Sequence, residues 1–254
     1  FPRLSESDKY LGVLEARNFG AIKAMLSERG MLDQAEAFTQ ASGQLSAQLY
    51  KEEIETLLRT KGLAGVQLLG LNDFPGQGTA TIGMLDAFWD EKGFICGKEF
   101  TQFCSDSVPL MKAEKLVWTP DETFTAHLSV FSRTALGDSE LAWHAVNSSG
   151  EAFAEGVLAF NSTRACHAEE AGQIHVPLKD VKVAERMTLE AVLKGGGKNL
   201  WSFWVFPAQQ PEFDLSGVRV FSWYREDVRD ALKRGETVWL KIHPDRIWTG
   251  IPGR

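Results

Sequence analysis

The sequence predicts a multidomain protein that combines α/β and all-β parts. Helical periodicity, a short apolar run and a glycine-rich loop near residue 70 are typical of a parallel βα repeat. From about residue 115, short stretches alternate apolar and polar residues between turn signals, which indicates antiparallel strands. The pattern after residue 217 predicts a strand, a helix and a second strand. The expected domains are therefore 1–111, 112–212 and 213–254.

Composition excludes several kinds of partner. The 254 residues carry a net charge of -7 with both signs interspersed, which argues against nucleic acid and against an anionic membrane surface. No apolar run approaches the ~20 residues that a membrane-spanning helix needs. Three cysteines without C-x-x-C spacing predict no disulfide framework, and Cys96 and Cys104 are expected to be buried. Phe1 at the start and an apolar run close to Arg254 suggest a fragment.

The first hundred residues are expected to be mainly helical. Apolar residues at helical spacing predict helices over Asn18–Arg29 and Met31–Arg59, with a kink or break at Ser42-Gly43. Lys98–Ser105 is expected to form another short helix. Four charged residues of the second helix are interpreted as a solvated face rather than an acid–base site: Lys51, Glu52, Glu53 and Glu55.

The stretch Gly65–Glu91 carries the strongest signal for a ligand site. Val66–Leu71 is a compact apolar run between turn residues, which favours a buried strand. A polar, glycine-rich loop follows it, and α/β proteins build ligand sites where parallel strands end. An ordinary tight turn is the alternative. Both nucleotide motifs fail, because a lysine does not follow Gly78 and Thr81 replaces the third glycine. The candidate substrate-binding residues are Asn72, Asp73, Phe74 and Gln77.

Seven short strands within under ~100 residues predict an immunoglobulin-like β-sandwich. They are Lys115–Thr119, Phe124–Phe131, Leu141–Asn147, Glu155–Phe160, Gln173–Pro177, Met187–Leu193 and Asn199–Phe206. The histidines of this region lack metal-ligand spacing, so we expect no metal and no cofactor. The pattern of Val218–Phe221, Arg225–Arg234 and Val238–Ile242 then predicts the β-α-β opening of a third, truncated α/β domain.

The central stretch carries a resemblance to a known family. KEEIETLLRTKGLAGVQLLGLNDFPGQGTATIGMLDAFWDEKGF, at 51–94, resembles the last barrel repeat of bacterial β-galactosidase-like enzymes of glycoside hydrolase family 2. YLGVLEARNF before it, and EFTQFCSDSVPLMK and SFWVFP after it, resemble the same enzymes collinearly. The resemblance implies that residues 1–111 complete a TIM (β/α)8 barrel whose eighth strand is Val66–Leu71.

The resemblance also implies an activity, the hydrolysis of β-glycosides with retention by two glutamates. In the family, the two glutamates lie at the ends of two barrel strands. Both strands would precede Phe1, so we assign no catalytic residue here. Asp73 and Gln77 could hydrogen-bond sugar hydroxyls, and Phe74 or Trp89 could pack on a pyranose. For Asp73 a cap on backbone N–H groups is equally compatible, and for Trp89 core packing is favoured.

The leading hypothesis is part of a retaining exo-acting β-glycosidase whose partner is a carbohydrate substrate. The alternative is a non-catalytic carbohydrate-binding or scaffolding module that binds sugar through exposed tryptophans of the sandwich. We expect no nucleic-acid or membrane partner and a periplasmic or secreted location. Because open barrel ends expose apolar surface, the isolated chain is expected to be poorly soluble or a homo-oligomer.

Overall fold

The computed structural model describes residues 17–74, 81–207 and 214–242. The chain divides into two compact units, residues 1–208 and 209–254. The larger unit contains a helical segment, an irregular segment and a β-sandwich, and the smaller one contains a strand–helix–strand motif. No helix in the described ranges is long and apolar enough to cross a membrane.

The helical segment follows the predicted periodicity closely. Helix α1 covers Arg17–Glu28, a single 3-10 turn covers Leu32–Gln34, and helix α2 covers Ala35–Arg59. The break predicted at Ser42-Gly43 does not occur, since α2 runs through both residues. Gly43 instead lies on the buried face of α2, where an added Cβ would come within 2.2 Å of the Phe94 ring. Its role is to let the ring approach the helix backbone.

The predicted end of a TIM barrel is wrong. Residues 66–71 form no strand, and Leu69 is 92% exposed. Between α2 and the next helix, α3 (Gly97–Phe100), the described residues make only isolated bridges. A barrel strand is buried on both faces and hydrogen-bonded to a neighbour on each side. The described residues provide Val66–Leu71 with no such neighbours, so the architecture is predominantly antiparallel β instead.

The β-sandwich predicted for the middle of the chain is present, and all seven predicted strands have counterparts. One sheet has the strand order β1-β3-β6, and the other has β2-β8-β7-β4-β5. The strands are β1 Ser107–Ala113, β2 Val117–Trp118, β3 Thr123–Ser132, β4 Gly137–Val146, β5 Ala152–Ser162, β6 His167–Pro177, β7 Glu185–Leu193 and β8 Lys198–Val205. Strand β1 was not predicted, because residues up to 111 were assigned to the barrel; it is an edge strand, where Pro109 is tolerated.

Alternating side chains of the two sheets form the sandwich core. Phe124 stacks on Phe203 with ring centroids 4.0 Å apart and meets Trp118 edge-on at 5.6 Å. Apolar residues at every second position of β3, β7 and β8 are buried around these rings. Period-two burial on both sheets is what the alternation in the sequence predicts.

A buried polar network joins α2 to the sandwich. The Glu55 side chain is 1% exposed and accepts hydrogen bonds from Trp201 Nε1 and Asn199 Nδ2, each at 2.8 Å. Lys51 contacts both Glu55 and Asn199, and Arg59 donates to the Met111 carbonyl at 2.7 Å. The solvated face predicted for these charges is therefore wrong at Glu55. Burial lowers the pKa of Lys51 below its usual range, although the attraction of Glu55 opposes this shift.

The smaller unit has the predicted β-α-β order. Strand β9 (Val218–Phe221) pairs in parallel with β10 (Thr237–Leu240), and helix α4 (Glu226–Lys233) connects them. Val228 and Ala231 are the buried residues of α4.

Candidate functional site

The sequence-predicted site lies in a compact arrangement that we call the bridge cluster, residues 72–74 and 83–92. Asn72 pairs with Leu85 in parallel and Leu85 pairs with Glu91 antiparallel, each as an isolated bridge. The Leu85 amide donates to the Leu71 carbonyl at 2.9 Å, and the Asp73 amide donates to the Leu85 carbonyl at 3.0 Å. Three short segments therefore lie side by side without forming a sheet.

Asp73 is a buried residue that holds the bridge cluster together. Its Oδ1 accepts the Gly83 amide at 3.0 Å and the Lys92 ammonium at 2.5 Å. Lys92 also donates to the Gly83 carbonyl at 2.7 Å. This arrangement matches the capping alternative that the sequence left open for Asp73. A direct contact with a sugar hydroxyl remains a prediction for this residue.

Gly83 permits the close approach of the two segments. A Cβ at this position would lie 2.2 Å from the Asn72 carbonyl carbon. Any larger residue would separate the segments, since real Cβ atoms do not approach backbone so closely. Asn72 itself is half-buried, and its Nδ2 donates to the Asp73 carbonyl at 3.1 Å.

Phe74 presents its ring to the surface, with 54% of the residue exposed. Gln77, the fourth predicted site residue, lies outside the described residues. The structure therefore brings together Asn72, Asp73 and Phe74, of which Phe74 is the exposed member.

Trp89 is the functional candidate that sequence reasoning undervalued. It is 64% exposed, so the core packing favoured from the sequence is wrong. Its φ of 70° lies in the left-handed region, where a bulky side chain is rare. Asp86 enforces this turn, because its Oδ1 accepts the amides of Phe88 at 2.8 Å and Asp90 at 3.0 Å. The aspartates flanking Ala87-Phe88-Trp89 were the available signal.

Phe74 and Trp89 are the exposed aromatic residues of the bridge cluster. Within the sandwich, residues 107–205, the tryptophans are instead buried or half-buried. Among the described tryptophans of the larger unit, Trp89 is thus the exposed one.

A second concave feature lies elsewhere on the larger unit. A groove of about 500 Å³ runs between the end of α2 and the sandwich, and Cys104, Cys166 and His167 line part of it. The expectation of a buried Cys104 is wrong, since both Cys104 and Cys166 are exposed. In the described part of the chain, no three His, Cys, Asp or Glu side chains could jointly hold a metal ion.

Comparison with known proteins assigns no activity to the chain. Residues 122–207, within the sandwich, match the family described as "Domain of unknown function (DUF8488)". No curated protein matches the sequence. The match covers the sandwich alone and leaves the bridge cluster outside it.

Solved structures similar to the chain are diverse. A Pseudomonas fluorescens alkylpurine DNA glycosylase bound to abasic DNA is 16% identical, with a TM-score of 0.32, over 40% of this chain and 31% of that one. The Calx CBD1 domain is 11% identical, with a TM-score of 0.29, over 40% of this chain and 98% of that one. A Parabacteroides merdae β-glucuronidase is 7% identical, with a TM-score of 0.30, over 39% and 14%.

A further β-glucuronidase, from glycoside hydrolase family 2, has 9% identity and a TM-score of 0.27. This chain therefore spans less than a third of the DNA glycosylase and a small part of the first glucuronidase. These distant likenesses do not confirm the β-galactosidase-like assignment.

Proposed function

We propose that this chain contributes a carbohydrate-contact surface to an enzyme that hydrolyses O-glycosidic bonds. In this proposal the surface consists of Phe74 and Trp89, the exposed aromatic residues of the bridge cluster. The observation that carries the proposal is Trp89, a large exposed ring on left-handed backbone. The family resemblance of residues 51–94 supplies the class of ligand.

Backbone strain supports a functional role for Trp89. A non-glycine residue in a sparsely populated backbone region costs of order 1–3 kcal/mol and persists where the surroundings enforce it. An indole that is 64% exposed offsets little of this cost by burial. Packing therefore does not account for tryptophan at position 89, whereas contact with a ligand does.

The chemistry of the surface suits a sugar. Pyranose rings have an apolar C–H face that packs on aromatic rings, and a few polar groups orient the ring. Phe74 and Trp89 supply the apolar part in our proposal, and Gln77 remains the proposed polar contact. Asp73 contributes to the surface indirectly, because its ion pair with Lys92 fixes the segment that carries Phe74.

The reacting carboxylates are proposed to belong to another part of the protein. Retaining hydrolysis needs two carboxyl groups about 5–5.5 Å apart, facing the substrate. The buried carboxylates of the described residues are Glu55, Asp73 and Asp86. Each accepts hydrogen bonds from its own scaffold. Accordingly, the chain alone is expected to hydrolyse no nitrophenyl β-glycoside.

Saturation-transfer NMR with methyl β-galactoside, β-glucoside and β-glucuronide tests the proposal. We expect transfer from the aromatic protons of the chain to the C–H face of at least one sugar, and its loss in Trp89→Ala. The matched control is Trp239→Ala, which removes another exposed tryptophan from the smaller unit. Transfer that survives Trp89→Ala, or its absence for all sugars, would contradict the proposed surface.

A further inference from the structure

Helix α2 is apolar on two opposite faces. Gly43, Ala47 and Ile54 lie on the face that is buried against the rest of the larger unit. The opposite face carries a stripe of Phe38, Leu45 and Leu49, of which both leucines are 57% exposed. At 100° per residue these three side chains lie within roughly 40° of one another around the helix axis. We call them the outer stripe.

The helix surface around the outer stripe carries no charge. Residues 37–50, AFTQASGQLSAQLY, form 14 consecutive helical positions without Asp, Glu, Lys or Arg. Charged residues make up 24% of the chain, so a solvent-facing stretch of this length would be expected to hold about three. An exposed helix face that is both apolar and uncharged is typical of a contact surface.

We propose that the outer stripe pairs with the same stripe of a second copy of this chain, with the two α2 helices antiparallel. Spacings of seven and four residues place Phe38 and Leu45 at d positions and Leu49 at an a position of a heptad. In an antiparallel pair, a residue at an a position of one helix lies opposite a residue at a d position of the other helix, and the two form one layer. Phe38 therefore packs on the partner's Leu49, and Leu45 packs on the partner's Ser42.

The arrangement of charge favours a second copy as the occupant. In a two-fold contact each patch faces itself, so a charge near the axis would repel its own copy. No such charge is present here. The two-fold axis would lie between the two layers that Ser42 and Leu45 form, and these layers are at the centre of the charge-free stretch 37–50. The next d position is Glu52, which is 66% exposed and would lie opposite the partner's Ala35 at the rim. Small side chains at Ala41 and Ser42 permit close approach of the helices.

The contact is expected to be reversible. Four layers of one helix pair form a smaller interface than the ~800 Å² per partner of stable complexes. We therefore expect the chain to be largely dimeric at roughly 100 µM and largely monomeric at about 1 µM.

Sedimentation equilibrium of the full chain over this concentration range tests the proposal. Leu45→Glu places two carboxylates beside the two-fold axis, and we expect it to weaken the dimer at least ~10-fold. Val157→Glu, which puts the same charge on an equally exposed apolar residue of β5, should leave the dimer unchanged. Far-UV circular dichroism checks that both variants keep their helix content.

A charge-swap pair tests the register. Phe38→Lys and Leu49→Glu should each be monomeric alone, and an equimolar mixture should form a 1:1 dimer because positions 38 and 49 share a layer. Three results would overturn the proposal: a monomeric wild-type chain at roughly 100 µM, a dimer that tolerates Leu45→Glu as well as Val157→Glu, or no recovery in the mixture.

Discussion

Glu55 and Asp73 are both buried acids that contact a lysine, but they organise the molecule on different scales. Glu55 binds Asn199 and Trp201, which follow it by 144 and 146 residues. Asp73 binds Gly83 and Lys92, which follow it by 10 and 19 residues. The first acid joins a helix to a distant β-sandwich, and the second shapes a local loop.

The aromatic residues near the two acids also differ in their exposure. Around Glu55 the aromatic rings face inward, and Lys51 lies 5.1 Å from the Trp201 ring and 5.6 Å from Phe103. In the bridge cluster that contains Asp73, Phe74 and Trp89 are exposed. A buried acid with long-range partners thus stabilises the architecture, whereas one with local partners can hold apolar side chains at the surface.

The largest effect is expected for Glu55→Ala. Removing this acid leaves Lys51 and the Trp201 indole N–H without their buried partner, which costs about 3–5 kcal/mol of unfolding free energy. Glu52→Ala, three residues earlier and exposed, should cost under about 0.5 kcal/mol. Urea unfolding followed by tryptophan fluorescence measures both. Equal stability losses would remove the distinction between the two glutamates.

A smaller and local effect is expected for Asp73→Ala. The substitution leaves the Gly83 amide and Lys92 without their carboxylate, at a cost of about 1–3 kcal/mol for opening the bridge cluster. Amide exchange should therefore accelerate at Gly83 and Leu85 while sandwich amides such as Leu189 keep their protection. Uniformly faster exchange in the sandwich would show that Asp73 is not a local determinant.

The contact between α2 and Phe94 is open to a paired glycine test. Gly43→Ala forces the Phe94 ring to move and should destabilise the larger unit by about 1–2 kcal/mol. Gly20→Ala in α1, where a Cβ meets nothing within 4 Å, should instead stabilise its helix by about 0.5–1 kcal/mol. Thermal unfolding compares them. A stabilising Gly43→Ala would show that Phe94 does not pack closely on α2.

The smallest effect concerns the pH dependence of the Glu55 network. Because burial lowers the pKa of Lys51, the unfolded chain holds this proton up to about pH 10.5 while the folded chain releases it earlier. The unfolded state then binds more protons in that interval, so folding is favoured as pH rises through it. We expect the unfolding free energy of the wild type to increase relative to Lys51→Met toward pH 10.5. If the difference in unfolding free energy between the wild type and Lys51→Met falls as pH rises, the lowered pKa of Lys51 is contradicted. Lys61→Met, at an exposed lysine, is the control.

The sequence predicted those parts of the fold whose signal is local. Alternation along Phe124–Phe131 reports burial on one face of a strand, and the β-α-β pattern after residue 217 is equally self-contained. The prediction of a barrel strand at Val66–Leu71 was wrong because such a strand needs neighbouring strands on both sides, and six apolar residues do not specify those neighbours.

The candidate site shows the same division. Asp73 and Phe74 were found because a polar loop after an apolar run is a local signal. Glu55 was missed because a mid-helix charge beside Lys51 resembles a solvated face, and only Asn199 and Trp201, far along the chain, make it buried. Trp89 was misjudged because an apolar run suggests a core, whereas the hydrogen bonds of Asp86 turn the backbone and leave the ring outside.

The measurement that tests the central claim most directly combines stability and sugar binding in Trp89→Gly. Glycine relieves the left-handed backbone at position 89, so the bridge cluster should become more stable by about 1 kcal/mol. The same substitution removes the proposed sugar platform, so saturation transfer to the methyl β-glycosides should disappear. Opposite changes in stability and binding are the predicted result. Loss of stability with binding retained would contradict the account, because Trp89 would then be a packing residue.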